Sequence, residues 1–88
     1  MVYKIKYSKK VIKFLQKTQK NIAKKVIETF EDLKNDTKNL SKYDIKSLEG
    51  FENKYRLRVG KYRVIFSLND NELIIEVIDA ASRGDIYK

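Results

Sequence analysis

All four arginines of this chain, Arg56, Arg58, Arg63 and Arg83, lie beyond Lys54, whereas sixteen lysines are spread along its length. Lysine is the default cation here, so each arginine points to a task that an ammonium performs poorly. That task is planar, forked donation to a phosphate or a carboxylate. If Gly60 and Lys61 form a two-residue hairpin loop, Val59 faces Tyr62, Arg58 faces Arg63, Leu57 faces Val64 and Arg56 faces Ile65. Alternation then gathers Tyr55, Leu57, Val59, Tyr62, Val64, Phe66, Leu68, Leu73, Ile75 and Val77 on an apolar side, and Arg56, Arg58 and Arg63 on the other. Directly opposed like charges cost up to about 1 kcal/mol, so Arg58 across from Arg63 is an odd pair for stability alone. An anion between them removes the objection. The competing readings are a plainly solvated strand face, or neutralisation by Glu76 on the next strand.

Ile65, Ile74 and Ile78 are expected on the arginine side too, which suggests a groove, a covering tail or a protein partner there. The tail from Arg83 to Tyr87 leaves the last strand and could rim that groove. Tyr87 has two readings: an edge-packing ring, or a ring that stacks on a nucleobase or a phenol that takes part in proton transfer. Tyr3, Tyr7, Tyr55 and Tyr62 read as core or edge residues.

Zero cysteine removes thiolate nucleophiles and disulfides, and zero histidine removes the usual general base and the commonest metal ligand. No metal and no cofactor are expected. A formal charge of +8 on 88 residues points to a polyanionic partner, with nucleic acid ahead of an acidic protein or a membrane surface. The lysines at 9, 10, 13, 17, 20, 24 and 25 are either solvated helix faces or a diffuse phosphate-facing stripe. Eighty-eight residues read as one domain, residues 1–88, with a thin core that buries about 60 to 65% of the unfolded surface. No stretch approaches the roughly 20 apolar residues of a membrane helix, so no membrane partner is expected. Met1 to Ser8 alternates apolar and cationic residues, which argues against an export signal and for the cytoplasm.

The elements that must position the arginines follow from periodicity. Val2 to Tyr7 alternates as a half-buried strand. Ser8 suits the N-cap of a short helix ending near Lys17, and Thr18 suits the cap of the next. From Gln19 to Lys34 the residues Ile22, Val26, Phe30 and Leu33 recur at helical spacing, with Ala23 and Ile27 widening the stripe. Asn35 to Asp44 reads as a loop with Leu40 and Tyr43 pinned inward, and Asp44 to Glu49 has no clear period. Strand-like runs follow at Lys54 to Val59, Tyr62 to Leu68 and Glu72 to Ala80. The fold class is therefore α+β: an N-terminal strand, an antiparallel two-helix hairpin, then a three-stranded antiparallel meander, forming one sheet.

This order, with the run YRLRVGKYRVIF and the closing SRGDIYK, resembles the RelE/ParE superfamily of toxins from toxin–antitoxin pairs. The resemblance covers nearly the whole chain. It implies a RelE-like fold and one of two activities: cleavage of messenger RNA in the ribosomal A site, as in RelE-like members, or poisoning of DNA gyrase, as in ParE-like members. RelE-like sites combine basic residues on the second strand of the fold, an arginine after the turn, and an arginine and a tyrosine near the C-terminus. Those positions correspond here to Arg56 and Arg58, to Arg63, and to Arg83 and Tyr87, which favours the ribonuclease. The implied catalytic set is Arg63, Arg83, Tyr87 and Arg58, with Arg56, Lys54, Lys61 and Ser82 binding RNA. Ala81-Ser82 stands where many relatives have a basic group before the tail arginine, and arginine is a poor proton acceptor, so no general base is identified. Implied partners are a RelB-like cognate antitoxin, the 70S ribosome and messenger RNA. A non-enzymatic RNA- or ribosome-binding module is the remaining alternative.

Overall fold

The computed structural model describes residues 2–82. Strand β1, Lys4–Tyr7, keeps the alternation of its sequence, with Ile5 and Tyr7 half-buried and Lys4 and Lys6 exposed. Helix α1, Lys9–Lys17, begins where expected: the Ser8 Oγ accepts a hydrogen bond from the Val11 N–H at 3.1 Å and donates one to the Ile78 carbonyl at 2.8 Å. One side chain thus caps the helix and ties it to the last strand.

Helix α2, Lys20–Asn35, starts one residue later than the sequence suggests. Thr18 is not its N-cap. The Thr18 N–H bonds to the Phe14 carbonyl at 2.9 Å and closes α1, so Gln19 takes the cap position of α2 without a side-chain bond. The buried face of α2 is Val26, Thr29, Phe30 and Leu33, a stripe at i, i+3, i+4 and i+7. Ile27 lies off that stripe and is exposed, contrary to its expected place in the core. Thr29 is admitted to the interior because its Oγ1 donates to the Lys25 carbonyl at 2.7 Å.

The segment read as a loop contains a 3₁₀ helix, Thr37–Lys42, opened by the Asp36 carboxylate accepting from the Lys38 N–H at 2.9 Å. Asp32 of α2 fastens it: the Asn39 amide donates to its carboxylate at 2.7 Å and the Tyr43 hydroxyl at 2.6 Å. Leu40 and Tyr43 pack inward as expected. Beyond them, the stretch without a clear period supplies a short strand, β2, Ile45–Ser47.

Strands β3, Lys54–Val59, β4, Tyr62–Asn69, and β5, Ile74–Ser82, form the antiparallel meander. One five-stranded sheet results, in the order β1-β5-β4-β3-β2, with β1 parallel to β5. The expected single sheet is present and gains β2 as an edge. Strand β5 begins later than Glu72 because the Asn69 carboxamide oxygen accepts from the N–H groups of Asn71 and Glu72, which lengthens the turn. Leu73 sits in that turn at φ +56° instead of on the apolar side of a strand. The pairing jumps from Phe66↔Val77 to Ile65↔Asp79, so Ile78 is the extra residue of a bulge and leaves the strict alternation that placed it with the arginines.

Helices α1 and α2 cover one side of the sheet. Val11, Val26, Phe30 and Leu33 meet Leu57, Val64, Phe66, Leu68, Ile75 and Val77. Phe30 is the centre of this thin core, edge-on to Phe66 at 5.0 Å and to Tyr7 at 6.3 Å between ring centroids. Truncating Phe30 to alanine is expected to cost about 3 to 5 kcal/mol, whereas Ile27→Ala costs less than about 1 kcal/mol. Urea unfolding midpoints at unchanged slope measure both, and equal costs would contradict this assignment of the α2 faces.

Candidate functional site

The β3–β4 hairpin has the register expected from its turn: Val59↔Tyr62, Arg58↔Arg63, Leu57↔Val64 and Arg56↔Ile65. Gly60 adopts φ +58° at the first turn position, a conformation that glycine reaches without strain. Paired residues share a side of the sheet, so the side away from the helices carries short cross-strand rows. Arg58, Arg63 and Ala81 form the row nearest the turn; Lys46, Arg56, Ile65 and Asp79 form the next; Lys54, Ser67, Glu76 and Lys6 form the third. Ile65 is buried in the middle row, as only part of the expected isoleucine cluster, while Ile74 and Ile78 are half-buried.

Among the described residues, Asp44 supplies a counter-charge to Arg58. Its carboxylate accepts a hydrogen bond from Arg58 Nε at 2.8 Å, and its backbone carbonyl accepts one from the Arg58 N–H at 3.0 Å. Glu76, the carboxylate suggested by the sequence, pairs across the sheet with Ser67, four residues from Arg63 on β4, or about 13 Å at the usual strand rise. Asp79, on the arginine side of the middle row, binds Lys10 of α1 at 2.8 Å. The hydrogen bond from Arg58 holds the Asp44 carboxyl below the ordinary aspartate value of 3.8, aided by the charges of Arg58, Arg56 and Lys46 and opposed by partial burial.

Arg58, Arg63 and Lys61 come together around a cleft of about 490 Å³, lined also by Asp44, Gly60 and Tyr62. A second hollow of about 340 Å³ adjoins it through Asp44, Arg58 and Gly60 and continues toward Lys25 and Glu28 on α2. Arg56 stands one row away; its Nε is buried and makes no hydrogen bond among the described residues. Lys54 lies farther off, with its Nζ 4.7 Å from the centroid of the exposed Phe51 ring. Ser82 pairs with Tyr62, next to Ala81 opposite Arg63. Arg83, Tyr87 and the tail expected to rim the groove lie outside the described residues.

Three neighbours of the cleft escaped the sequence reading: Asp44, Lys46 and Tyr62 as a lining residue. Lys46 and Asp44 belong to β2 and its approach, where only three paired residues leave no measurable period. Chemically, the cleft can fix an anion of phosphate size between two guanidinium groups and an ammonium, with one carboxylate on its wall.

The lowered pKa sets the sign of a pH effect. Asp44 keeps its contact with Arg58 above the ordinary aspartate range and loses it as pH falls through the lowered value. Carboxyl NMR titration is expected to find Asp44 protonating below 3.8, and Arg58→Ala is expected to move that titration upward. An unmoved titration in the variant would show that Arg58 is not the cause.

The sequence over residues 5–87 matches the model of a family described as the ParE toxin of type II toxin–antitoxin systems, parDE. The toxin RelE3 of Methanocaldococcus jannaschii is 33% identical over 85 residues, spanning 96% of this chain and 94% of that one. Among solved structures, an archaeal RelE–RelB complex from Pyrococcus horikoshii OT3 contains a chain similar at TM-score 0.82 and 33% identity, covering 97% of this chain and 99% of that one. A RelB–RelE antitoxin–toxin complex from Methanococcus jannaschii gives TM-score 0.77 and 29% identity, covering 93% and 94%. With a family match over almost its full length and RelE relatives at this identity, the chain belongs to the RelE/ParE toxins of type II toxin–antitoxin systems.

Proposed function

We propose that this toxin acts in the cytoplasm as a ribosome-dependent endoribonuclease that cuts messenger RNA in the A site and stops translation. The observation that carries this reading is the Arg58–Arg63 pair opposed across β3 and β4 at a cleft that also holds Lys61. Two forked cations on one wall of a cleft suit the oxygens of a phosphate.

In the proposed reaction the RNA's own 2′-hydroxyl attacks the adjacent phosphorus, the bond to the 5′-oxygen breaks, and the products carry a 2′,3′-cyclic phosphate and a 5′-hydroxyl. The nucleophile belongs to the substrate, so the protein's task is to bind, align and stabilise charge. Arg63, helped by Arg58, holds the oxygens that gain charge in the phosphorane, a contribution of about 3 to 4 kcal/mol for a well-placed donor. Arg56, Lys54 and Lys61 grip the neighbouring backbone, with Ser82 beside them. Resemblance to RelE-like toxins assigns Arg83 to the leaving oxygen and Tyr87 to the base at the cut. In-line geometry supplies the remainder, and the ribosome can impose it on the message.

The antitoxin partner follows from the company of the relatives: the similar P. horikoshii and M. jannaschii chains were solved in complexes with RelB. We infer a RelB-like antitoxin for this chain, with acidic and apolar segments to match its +8 charge. Gyrase inhibition is the second reading, favoured by the ParE description of the matching family.

Cleavage of ribosome-bound message by the wild type, Arg63→Ala, Arg83→Ala and Tyr87→Phe tests the proposal. Arg63→Ala is expected to slow cutting by roughly a hundredfold or more, the equivalent of one lost oxyanion donor. Near-normal cutting by both arginine variants would sink the mechanism. Trapped DNA breaks and loss of gyrase supercoiling, without RNA products, would establish the second reading instead.

A further inference from the structure

Asp44 is the odd group in a cleft otherwise suited to a phosphate. A carboxylate on the wall repels the anion, and its lowered pKa makes it a poor proton acceptor. Neither direct binding nor base chemistry explains its position. Its contact does. The bond is made by Arg58 Nε at 2.8 Å, which leaves the terminal Nη groups out of the Asp44 hydrogen bond. The backbone bond from the Arg58 N–H to the Asp44 carbonyl, at 3.0 Å, holds the two residues in one register. Asp44 is fixed in turn from behind, because the adjacent Tyr43 is fastened to Asp32 on α2 at 2.6 Å.

We propose that Asp44 is a positioning residue for Arg58: it takes the ε edge of the guanidinium and turns the terminal edge toward a phosphate in the cleft. Without it, a side chain about half exposed swings among rotamers. The inference rests on the ribonuclease reading and deepens it. Its signature separates binding from chemistry. Removing a negative charge from the cleft favours RNA association, whereas freeing Arg58 slows the cut.

The test compares the full chain, released from its antitoxin, with Asp44→Ala and Asp44→Asn, using single-turnover cleavage and KM for programmed ribosomes. Asp44→Ala is expected to cut about ten- to a hundredfold more slowly, up to the loss that a misplacement of about 1 Å causes, with KM unchanged or lower. Asp44→Asn, which keeps an acceptor oxygen for Nε, recovers most of the rate. Circular dichroism and urea midpoints check that both variants remain folded. Cutting by Asp44→Ala within twofold of wild type, or a loss carried only by a higher KM, overturns the inference while leaving the ribonuclease reading intact. Absence of products from the wild type overturns both.

Discussion

The register of the β3–β4 hairpin is the constraint on which the rest of the molecule depends. A turn of two residues, opened by Gly60 at φ +58°, fixes Arg58 opposite Arg63 and Leu57 opposite Val64 in the same stroke. Because side chains alternate, a slip of one residue would send Leu57 and Val64 into solvent and the arginines under the helices. The core therefore enforces the geometry of the cleft. Burial of Leu57, Val64 and Phe66 beneath Phe30 excludes the one-residue slip and keeps the charged pair on the outer side.

That arrangement places opposing demands on the two sides of one sheet. The helix-covered side is apolar and close-packed around Phe30, Phe66 and Leu33, and provides the stability of a small domain. The other side carries Lys46, Lys54, Arg56, Arg58 and Arg63, whose mutual repulsion works against folding. Asp44 offsets part of it from the approach to the edge strand. The short segment that joins α2 to β2 thus links the scaffold, through Asp32 and Tyr43, to the charged rim.

Elements with a long apolar period were legible in the sequence: α2, the meander and the pairing of the arginines all rest on repeated positions. What was not legible depends on single hydrogen bonds or on distant contacts. Thr18 looks like a cap by residue type, but its N–H is taken by Phe14 and the next helix starts later. Ile78 follows the alternation until a bulge in β5 interrupts it. Strand β2 has three residues and exists because β3 offers it an edge, so no local pattern announces it. Asp44 was invisible as part of the site for that reason. The residues of the tail, Arg83 and Tyr87, were read only through resemblance to RelE-like toxins.

The parallel pairing of β1 with β5 has a consequence in time. Lys4 lies beside Ile74 and Tyr7 beside Val77, so the first strand to be synthesised has no partner until the last one exists. An emerging chain can form α1, α2 and the β3–β4 hairpin early, since each depends on nearby residues. Closing the sheet must wait for about seventy residues of intervening chain to be brought together, a loop whose entropy is paid in one step. Until then β4 has an open edge beside Arg63. The five-stranded sheet is thus completed only once β5 has been made, with its first strand placed last.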